Sequence, residues 1–278
     1  MIELRSERAS ATIDPATGGR LVSLVIDGHD VIGAVPTRTV VELIGEGAEA
    51  KHDWYRGSFP LAPWAGALRD GEFVFDGVRH RVELDAAGAA QHGVVAERPW
   101  DIDRVADGGA VTLSTSFGPD LPGRWPFDGR AVQSFILEKF ALLMRLEVHS
   151  SGQRMPAIAG FHPWFRYELD DGTTASIAFS PTSRLAERAG VMVVTDDLGQ
   201  RPWDDVFVGL TGPPAISWVG GPSLRLESDA SVWVYYEELP GAFCIEPWTG
   251  PFDSIETERA TVVTPGHPLV LNFAIRFD

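Results

Sequence analysis

The sequence predicts an all-β protein, specifically a large antiparallel β-sandwich. Apolar and polar residues alternate with a period of two in several segments, which is the pattern of strands that bury one face. Twenty prolines and twenty-nine glycines divide the 278 residues into short pieces. No segment keeps an apolar face at the 3.6-residue helical period over three turns. Short half-buried strands joined by turns are typical of sandwiches.

The first predicted element is a β-hairpin. Glu72–Phe75 and Val78–Val82 flank the dipeptide Asp76-Gly77. Because Asp and Gly both tolerate positive φ, this dipeptide favours a tight turn between two strands.

Three later segments repeat the alternation. Residues 142–149, 232–236 and 269–277 place large apolar side chains at every second position. In the last segment every odd position is large and apolar, and the even positions are small or polar except for Val270. Each segment is therefore predicted to be a strand with one buried face.

Length and composition are typical of one globular unit. The chain is 44% hydrophobic and 22% charged, which supplies enough apolar material for a core and too little charge for a disordered protein. It contains no Ser/Gly linker, charge block or repeat of fixed period. A single domain over residues 1–278 is therefore expected.

The charge balance narrows the class of partner. The net charge is −16, from 23 basic and 39 acidic residues, and nucleic-acid binding would require clustered Lys and Arg. Residues 1–8 form no apolar targeting region, and no run approaches the roughly 18 apolar residues that a membrane span needs. A cytoplasmic protein that does not enter membranes is expected. The one cysteine, Cys244, cannot form an internal disulfide.

Three short stretches each place one acid–base residue among aromatic and turn residues. His92 lies in Gln-His-Gly, His162 in Gly-Phe-His-Pro-Trp-Phe and Glu246 in Cys-Ile-Glu-Pro-Trp-Thr-Gly-Pro. Their wide separation rules out a local helical or loop motif, so they act together only if the fold brings them together. Two imidazoles and a carboxylate among tryptophans suit proton transfer to and from a sugar.

Five segments occur in a fixed order along the chain. They are Phe59-Pro-Leu-Ala-Pro-Trp-Ala-Gly66, Asp70-Gly-Glu-Phe73, Gln91-His-Gly93 followed by Trp100, Gly160-Phe-His-Pro-Trp-Phe165 and Ile245-Glu-Pro-Trp-Thr-Gly250. In order and spacing they resemble the aldose 1-epimerase (galactose mutarotase) family, from about residue 18 to the C-terminus. The resemblance implies the β-supersandwich fold, a small-molecule sugar substrate and no cofactor.

The resemblance also implies catalytic roles. Glu246 would remove the proton of the anomeric hydroxyl, His162 would protonate the ring oxygen, and His92 would hydrogen-bond the reacting oxygens. Each residue has a structural alternative. Glu246 could be an ion-paired carboxylate at a strand end, His162 a packed histidine in a Pro-stiffened turn, and His92 a solvated histidine beside glycine. The apolar neighbours of Glu246 favour a raised pKa and hence the catalytic role.

Further residues are candidates for substrate binding. Trp64, Trp164 and Trp248 lie beside motif residues and could stack on the C–H face of a sugar, although core packing is the commoner fate of tryptophan. Asp204 matches the family position whose carboxylate holds sugar hydroxyls, and a solvent-facing or capping role is its alternative. Gln91, in the Gln-His-Gly motif, is another candidate contact.

One position departs from the family pattern. Directly after Gly66 the family usually has a ligand-binding Arg, and this chain has Ala67. Arg69 lies two residues further, on the same face if the segment is a strand, so it could replace the missing Arg or be an ordinary surface residue. The sugar therefore stays open among glucose, galactose, another aldose and a sugar phosphate.

Two other functions are considered, a hexose-6-phosphate 1-epimerase and a non-catalytic carbohydrate-binding homologue. The first needs a cationic pocket, for which Arg69, Arg98 and Arg166 are candidates. Retention of both Glu246 and His162 argues against the second. No metal site is expected, because no His-Glu-x-x-His or other ligand spacing occurs. The oligomeric state is expected to be a monomer or a homodimer.

Overall fold

Two large β-sheets dominate the computed structural model, which describes residues 1–34, 52–85, 88–106 and 108–278. The first sheet, with eleven strands in these residues, contains β1 (Ile2–Arg5), β2 (Ala9–Asp14), β3 (Arg20–Ile26), β4 (His29–Asp30), β5 (Ser58–Leu61), β15 (Gly160–Arg166), β17 (Pro181–Arg188), β18 (Val191–Thr195), β19 (Asp204–Leu210), β22 (Val232–Tyr236) and β23 (Ala242–Trp248). In space they follow the order β1-β2-β3-β5-β15-β23-β22-β19-β17-β18, and β4 pairs with β3.

The second sheet has eight strands in the described residues. They are β10 (Asp101–Ala106), β11 (Ala110–Phe117), β12 (Gly129–Leu137), β13 (Ala141–Ser150), β16 (Ala175–Ala178), β20 (Ala215–Trp218), β21 (Ser223–Ser228) and β25 (Leu269–Phe277). Their spatial order is β10-β11-β12-β13-β25-β21-β20-β16. Neighbouring strands within both sheets run antiparallel.

Smaller elements complete the fold. Three two-stranded sheets pair β6 (Ala67–Leu68) with β9 (Ala90–Gln91), β7 (Glu72–Phe75) with β8 (Val78–Arg81), and β14 (Met155–Ala157) with β24 (Thr261–Val263). Short 3-10 helices span His52–Tyr55, Arg69–Gly71 and Phe252–Ser254. No helix among the described residues is long and apolar enough to cross a membrane.

The predicted strands are confirmed. The hairpin of β7 and β8 turns at Asp76 and Gly77, whose φ angles are 51° and 74°. The segment predicted at 269–277 is β25, and every odd residue from Leu269 to Phe277 is buried. The segment at 142–149 lies within β13, which hydrogen-bonds to β25 along its length. Period-two alternation identified the buried face of β13 and β25, whereas β22, predicted from 232–236, is buried on both faces and turns Trp233 toward the second sheet.

The two sheets pack face to face as the predicted sandwich. Phe161 of β15 and Trp233 of β22 contact Phe273 of β25, with ring centroids 5.9 and 6.3 Å apart. Buried side chains from both sheets belong to one hydrophobic cluster. Because side chains alternate along a strand, residues next to Phe161 and Trp233 point to the opposite face of the first sheet.

Candidate functional site

A cleft of about 1180 Å³ opens on that opposite face of the first sheet. Phe161 faces the second sheet, whereas the next residue, His162, lines the cleft. Segments between β5 and β10 form one wall, and Phe252 of the third 3-10 helix contributes to the rim. The cleft exceeds the roughly 300–1,000 Å³ of typical small-molecule pockets, so a sugar has ample room.

Strand register brings the predicted groups together on this face. The neighbouring strands β15, β23, β22 and β19 pair so that Trp164 lies opposite Cys244, and Val234 opposite Glu246. Every second residue of each strand then shares the face of these partners. The residues of this face that line the cleft are His162, Trp164, Asp204, Val206, Val234, Tyr236, Glu246 and Trp248.

His162 is held on three sides. Its cross-strand partner Phe59 stacks on the imidazole, with centroids 4.6 Å apart and planes inclined by 20°. Its Nε2 lies 3.4 Å from Oε1 of Glu246, and its Nδ1 lies 3.6 Å from Sγ of Cys244. The ring therefore has a fixed orientation, with one nitrogen directed to the carboxylate.

Glu246 lies on the floor of the cleft and is 2% exposed. Burial raises the pKa of its carboxyl well above the ordinary range. The indole Nε1–H of Trp248 donates to Oε2 over 3.1 Å and opposes this rise, whereas the nearby carboxylate of Asp204 adds to it. This is the environment of an acid–base group rather than of a surface ion pair.

The pKa of His162 moves in the opposite direction. Burial lowers it well below the ordinary value of 6.5, and positive charge on His92 or on Arg20 would lower it further. Burial therefore favours the neutral form of both His162 and Glu246.

His92 reaches the site from the loop after β9. Its φ of 58° lies in the left-handed region, which a non-glycine residue seldom adopts. Two hydrogen bonds with Gly66 hold it: the His92 amide donates to the Gly66 carbonyl over 2.8 Å, and the Gly66 amide donates to Nδ1 over 3.2 Å. Because Nδ1 accepts, the proton of the neutral ring is on Nε2.

The environment of His92 keeps it neutral. Burial lowers its pKa to about 4. The ring stands edge-to-face against His162, with centroids 5.4 Å apart, and against Trp248 at 6.0 Å. The side-chain amide nitrogen of Gln91 lies 3.3 Å from Nε2; with the ring proton on Nε2, the amide must turn over so that its oxygen accepts this proton. At neutral pH His92 is thus a neutral hydrogen-bond donor beside His162 and Glu246.

The three candidate tryptophans all line the cleft. The indole of Trp164 donates to the carbonyl of Trp54 over 2.8 Å and meets Tyr236 edge-on. The indole N–H of Trp248 donates to the Glu246 carboxylate on the floor of the cleft. Trp64 stacks on Trp125 with centroids 5.2 Å apart, so much of its ring packs in the core.

Asp204 lies at the exposed rim of the cleft, at the start of β19. Partial enclosure by the cleft wall raises the pKa of this carboxyl, and the neighbouring carboxylates Glu238 and Asp205 raise it further. Asp205 itself binds Arg184 at 3.0 Å. The Asp204 carboxylate is accessible to a ligand in the cleft.

Arg69 is the candidate that the structure does not bring to the cleft. The strand β6 ends at Leu68 and Arg69 begins a 3-10 helix, so the same-face argument from Ala67 does not apply. The guanidinium binds Glu187 at 3.1 Å, while Ala67 itself lines the cleft. Gln91 pairs with Ala67 across β6 and β9 and also lines it.

Sequence reasoning missed two residues near the site. Arg20 is buried, its guanidinium lies 4.5 Å from the centroid of Phe59, and it donates to the carbonyl of Arg56 over 2.7 Å. The ring of Trp54 lies 5.6 Å from that of His92 and lines the cleft. Neither residue lies in a motif segment, and no local pattern could have identified them.

One group of side chains in the described residues has the composition of a metal site. The ligand atoms of His162, Cys244 and Glu246 all lie within 4.8 Å of one another. However, Cys244 contacts Nδ1 and Glu246 contacts Nε2. A metal ion bound to Nδ1 would have Glu246 on the far side of the ring, and an ion bound to Nε2 would have Cys244 there. The three groups therefore do not converge on one tetrahedral site. The expectation of no metal stays a prediction.

Two solved structures illustrate the likeness of fold. A galactose mutarotase-like protein from Clostridium acetobutylicum is 15% identical, with a TM-score of 0.82, over 99% of this chain and 94% of that one. A candidate aldose 1-epimerase from Escherichia coli K12 is 18% identical, with a TM-score of 0.80, over 99% and 98% of the two chains. No curated protein matches the sequence.

The aldose 1-epimerase family matches residues 1–190. This region includes His92 and His162, whereas Asp204 and Glu246 lie beyond it. Since the match spans more than half of the 278 residues and the solved structures share the sandwich over nearly their whole length, the chain belongs to the aldose 1-epimerase family.

Proposed function

We propose that this protein is a mutarotase, which interconverts the α and β anomers of an aldose. The observation that carries the proposal is the buried pair at the cleft floor, with Nε2 of His162 3.4 Å from Oε1 of Glu246. Ring opening needs one group that takes a proton and one that gives a proton, and this pair supplies both.

The reaction follows from these two groups. Glu246 takes the proton of the O1 hydroxyl while the C1=O1 double bond forms and the C1–O5 bond breaks, and His162 gives a proton to O5. Rotation about C1–C2 presents the other face of the carbonyl. O5 then attacks C1 and returns its proton to His162, while O1 takes the proton from Glu246. The pair ends as it began, and no cofactor is consumed.

The pKa directions suit a pair that holds one proton. Burial favours the carboxylic acid of Glu246 and the neutral imidazole of His162. Transfer of that proton across the 3.4 Å contact gives the carboxylate and the imidazolium, which is the form that starts the reaction. Such a coupled pair titrates as a unit, so its macroscopic pKa values belong to both residues.

The charge of the cleft favours a neutral sugar over a sugar phosphate. In the described part of the chain, the acidic residues that line the cleft are Glu83, Asp85, Glu97, Asp204, Asp205 and Glu246. Among the Arg and Lys residues of the same part of the chain, Arg98 lines it. Arg98 donates to the backbone carbonyls of Ser116 and Pro122. Arg69 and Arg166 bind Glu187 and Asp170 outside the lining. A phosphate would meet net repulsion here.

Optical rotation of freshly dissolved α-glucose and α-galactose tests the proposal. With protein present, the approach to anomeric equilibrium should accelerate in proportion to protein concentration for at least one sugar. Binding of a sugar without any acceleration would instead identify a non-catalytic carbohydrate-binding homologue. Other aldoses can be compared in the same assay, which ranks substrates by kcat/KM.

A further inference from the structure

Cys244 lies directly beneath the acid–base pair. It is the one cysteine of the chain and is 0% exposed. It precedes Glu246 by two residues on β23, so the two side chains share the face toward His162. The mutarotase reaction described above assigns it no role.

The geometry places the imidazole between these two side chains. Sγ of Cys244 lies 3.6 Å from Nδ1 of His162, and Oε1 of Glu246 lies 3.4 Å from Nε2. Each nitrogen therefore has its own partner on the same strand.

A thiol suits this position because it is neutral. Burial and the neighbouring Glu246 raise the pKa of the Cys244 thiol well above its ordinary value, so it carries no charge. A carboxylate here would add a second buried negative charge beside Glu246, whereas an alanine would offer no hydrogen-bond partner. Sulfur is a weak acceptor that can hold an N–H without binding a proton.

We propose that Cys244 is a positioning residue for the proposed mutarotase reaction: its sulfur accepts a hydrogen bond from Nδ1–H of His162, which leaves Nε2 as the nitrogen that exchanges the proton. Nδ1 then stays protonated whether the ring is neutral or an imidazolium. In the neutral ring Nε2 faces the carboxylic acid of Glu246, and in the imidazolium Nε2–H faces the carboxylate or O5 of the sugar.

Nitrogen-15 NMR of the wild-type protein tests this placement without reference to activity. After treatment with EDTA, the resonances of His162 are assigned by their loss in His162→Asn. The proposal expects Nδ1 to be the protonated nitrogen of the neutral ring, and Cys244→Ala should increase the other tautomer. A wild-type ring protonated at Nε2, or a tautomer unchanged in Cys244→Ala, overturns it.

Kinetics of a matched pair of variants adds a second readout. Cys244→Ala removes the sulfur, and Cys244→Ser replaces it with a smaller oxygen that can still form a hydrogen bond. Cys244→Ala should lower kcat roughly five- to tenfold at unchanged KM, and Cys244→Ser should recover part of the loss. Equal kcat in both variants and the wild type contradicts the proposal. An inactive wild type would refute the proposed function instead, and the tautomer would still test Cys244.

Discussion

At the scale of single residues, burial acts in opposite directions on the pKa values of the two groups that we propose exchange the proton. It raises the pKa of Glu246 and lowers that of His162, because each charged form loses solvation in the cleft floor. Separately, each shift would remove the charge that the reaction needs. Together they leave one proton shared across 3.4 Å, so either group can act as acid or base.

Burial of His92 also predicts that acid lowers the stability of the fold. The pKa of His92 is 6.5 when unfolded and about 4 when folded. As pH falls below 6.5, the unfolded state takes up a proton that the folded state refuses. Stability present above pH 6.5 is therefore lost as the pH falls toward 4, by about 3 kcal/mol for this residue.

Urea unfolding at pH 7 and pH 4.5 measures this effect. His92→Asn is the suitable variant, because Asn tolerates the positive φ at this position. The loss of unfolding free energy between the two pH values should be roughly 2–3 kcal/mol smaller in the variant than in the wild type. Equal losses would mean that His92 is protonated in the folded protein at pH 4.5.

The sequence indicated the three acid–base residues of the site but not the contacts between side chains. Motif segments identified His92, His162 and Glu246, and the apolar neighbours of Glu246 predicted the rise in its pKa. The contact between Cys244 and His162 depends on the register of β15 against β23, and linear spacing carries no information on register.

At the scale of elements, β23 positions one functional group at every second residue. Trp248, two residues after Glu246, donates its indole N–H to Oε2 over 3.1 Å. This hydrogen bond stabilises the carboxylate, so it lowers the pKa of Glu246 relative to burial alone.

Trp248→Phe should therefore shift the pH profile in a defined direction. Without the donor, the pKa of Glu246 rises further, the pair keeps its proton to higher pH, and the alkaline limb of kcat/KM moves to higher pH. Trp164→Phe is the matched control, because Trp164 donates to the carbonyl of Trp54 and not to the carboxylate. An equal shift of the alkaline limb in both variants, or no shift in either, would contradict the role of the Trp248 hydrogen bond.

The segment after β5 departs from a continuous strand, so the prediction that places Arg69 on the face of Ala67 was wrong. Arg69 would share the face of Ala67 only on a continuous strand, but β6 ends at Leu68. A 3-10 turn with Asp70 at a φ of 53° follows, and such a turn has no period-two pattern to predict. The longer strands were predictable because one face of each meets the core.

Substitutions in this segment should consequently separate two positions. Ala67→Arg should change the ranking of sugars by kcat/KM, because residue 67 lines the cleft. Arg69→Ala should leave the KM of every sugar unchanged, since its guanidinium binds Glu187. A raised KM in Arg69→Ala would show that Arg69 reaches the substrate, and an unchanged ranking in Ala67→Arg would show that residue 67 does not.

At the scale of the whole molecule, the two faces of the first sheet have different roles. One face of the first sheet packs on the second sheet through Phe161 and Trp233, and the other carries the cleft. The sequence predicted the sandwich, because alternation is local. It did not predict which strands are neighbours, because β5, β15 and β23 pair across long sequence separations. One buried cluster joins both sheets in the described residues, and the single domain over residues 1–278 stays a prediction.

The acidic character of the molecule extends into the cleft and should select against anionic sugars. We expect kcat/KM for glucose 6-phosphate to be at least roughly tenfold below that for glucose, because the phosphate meets like charge. The difference should shrink as ionic strength rises, since salt screens charges beyond about 10 Å at 0.1 M. A preference for the phosphate at low salt would favour a hexose-6-phosphate 1-epimerase.

The most direct test of the central claim is the anomerisation rate of Glu246→Gln, measured with its melting temperature on the same sample and alongside His162→Asn. If the two residues form the acid–base pair, each variant should stay folded while kcat falls by roughly 10²–10⁴, the usual contribution of a positioned proton-transfer group. A folded Glu246→Gln protein with the wild-type rate would contradict the mechanism. A protein of lowered stability but near-normal turnover would show that Glu246 is a structural carboxylate.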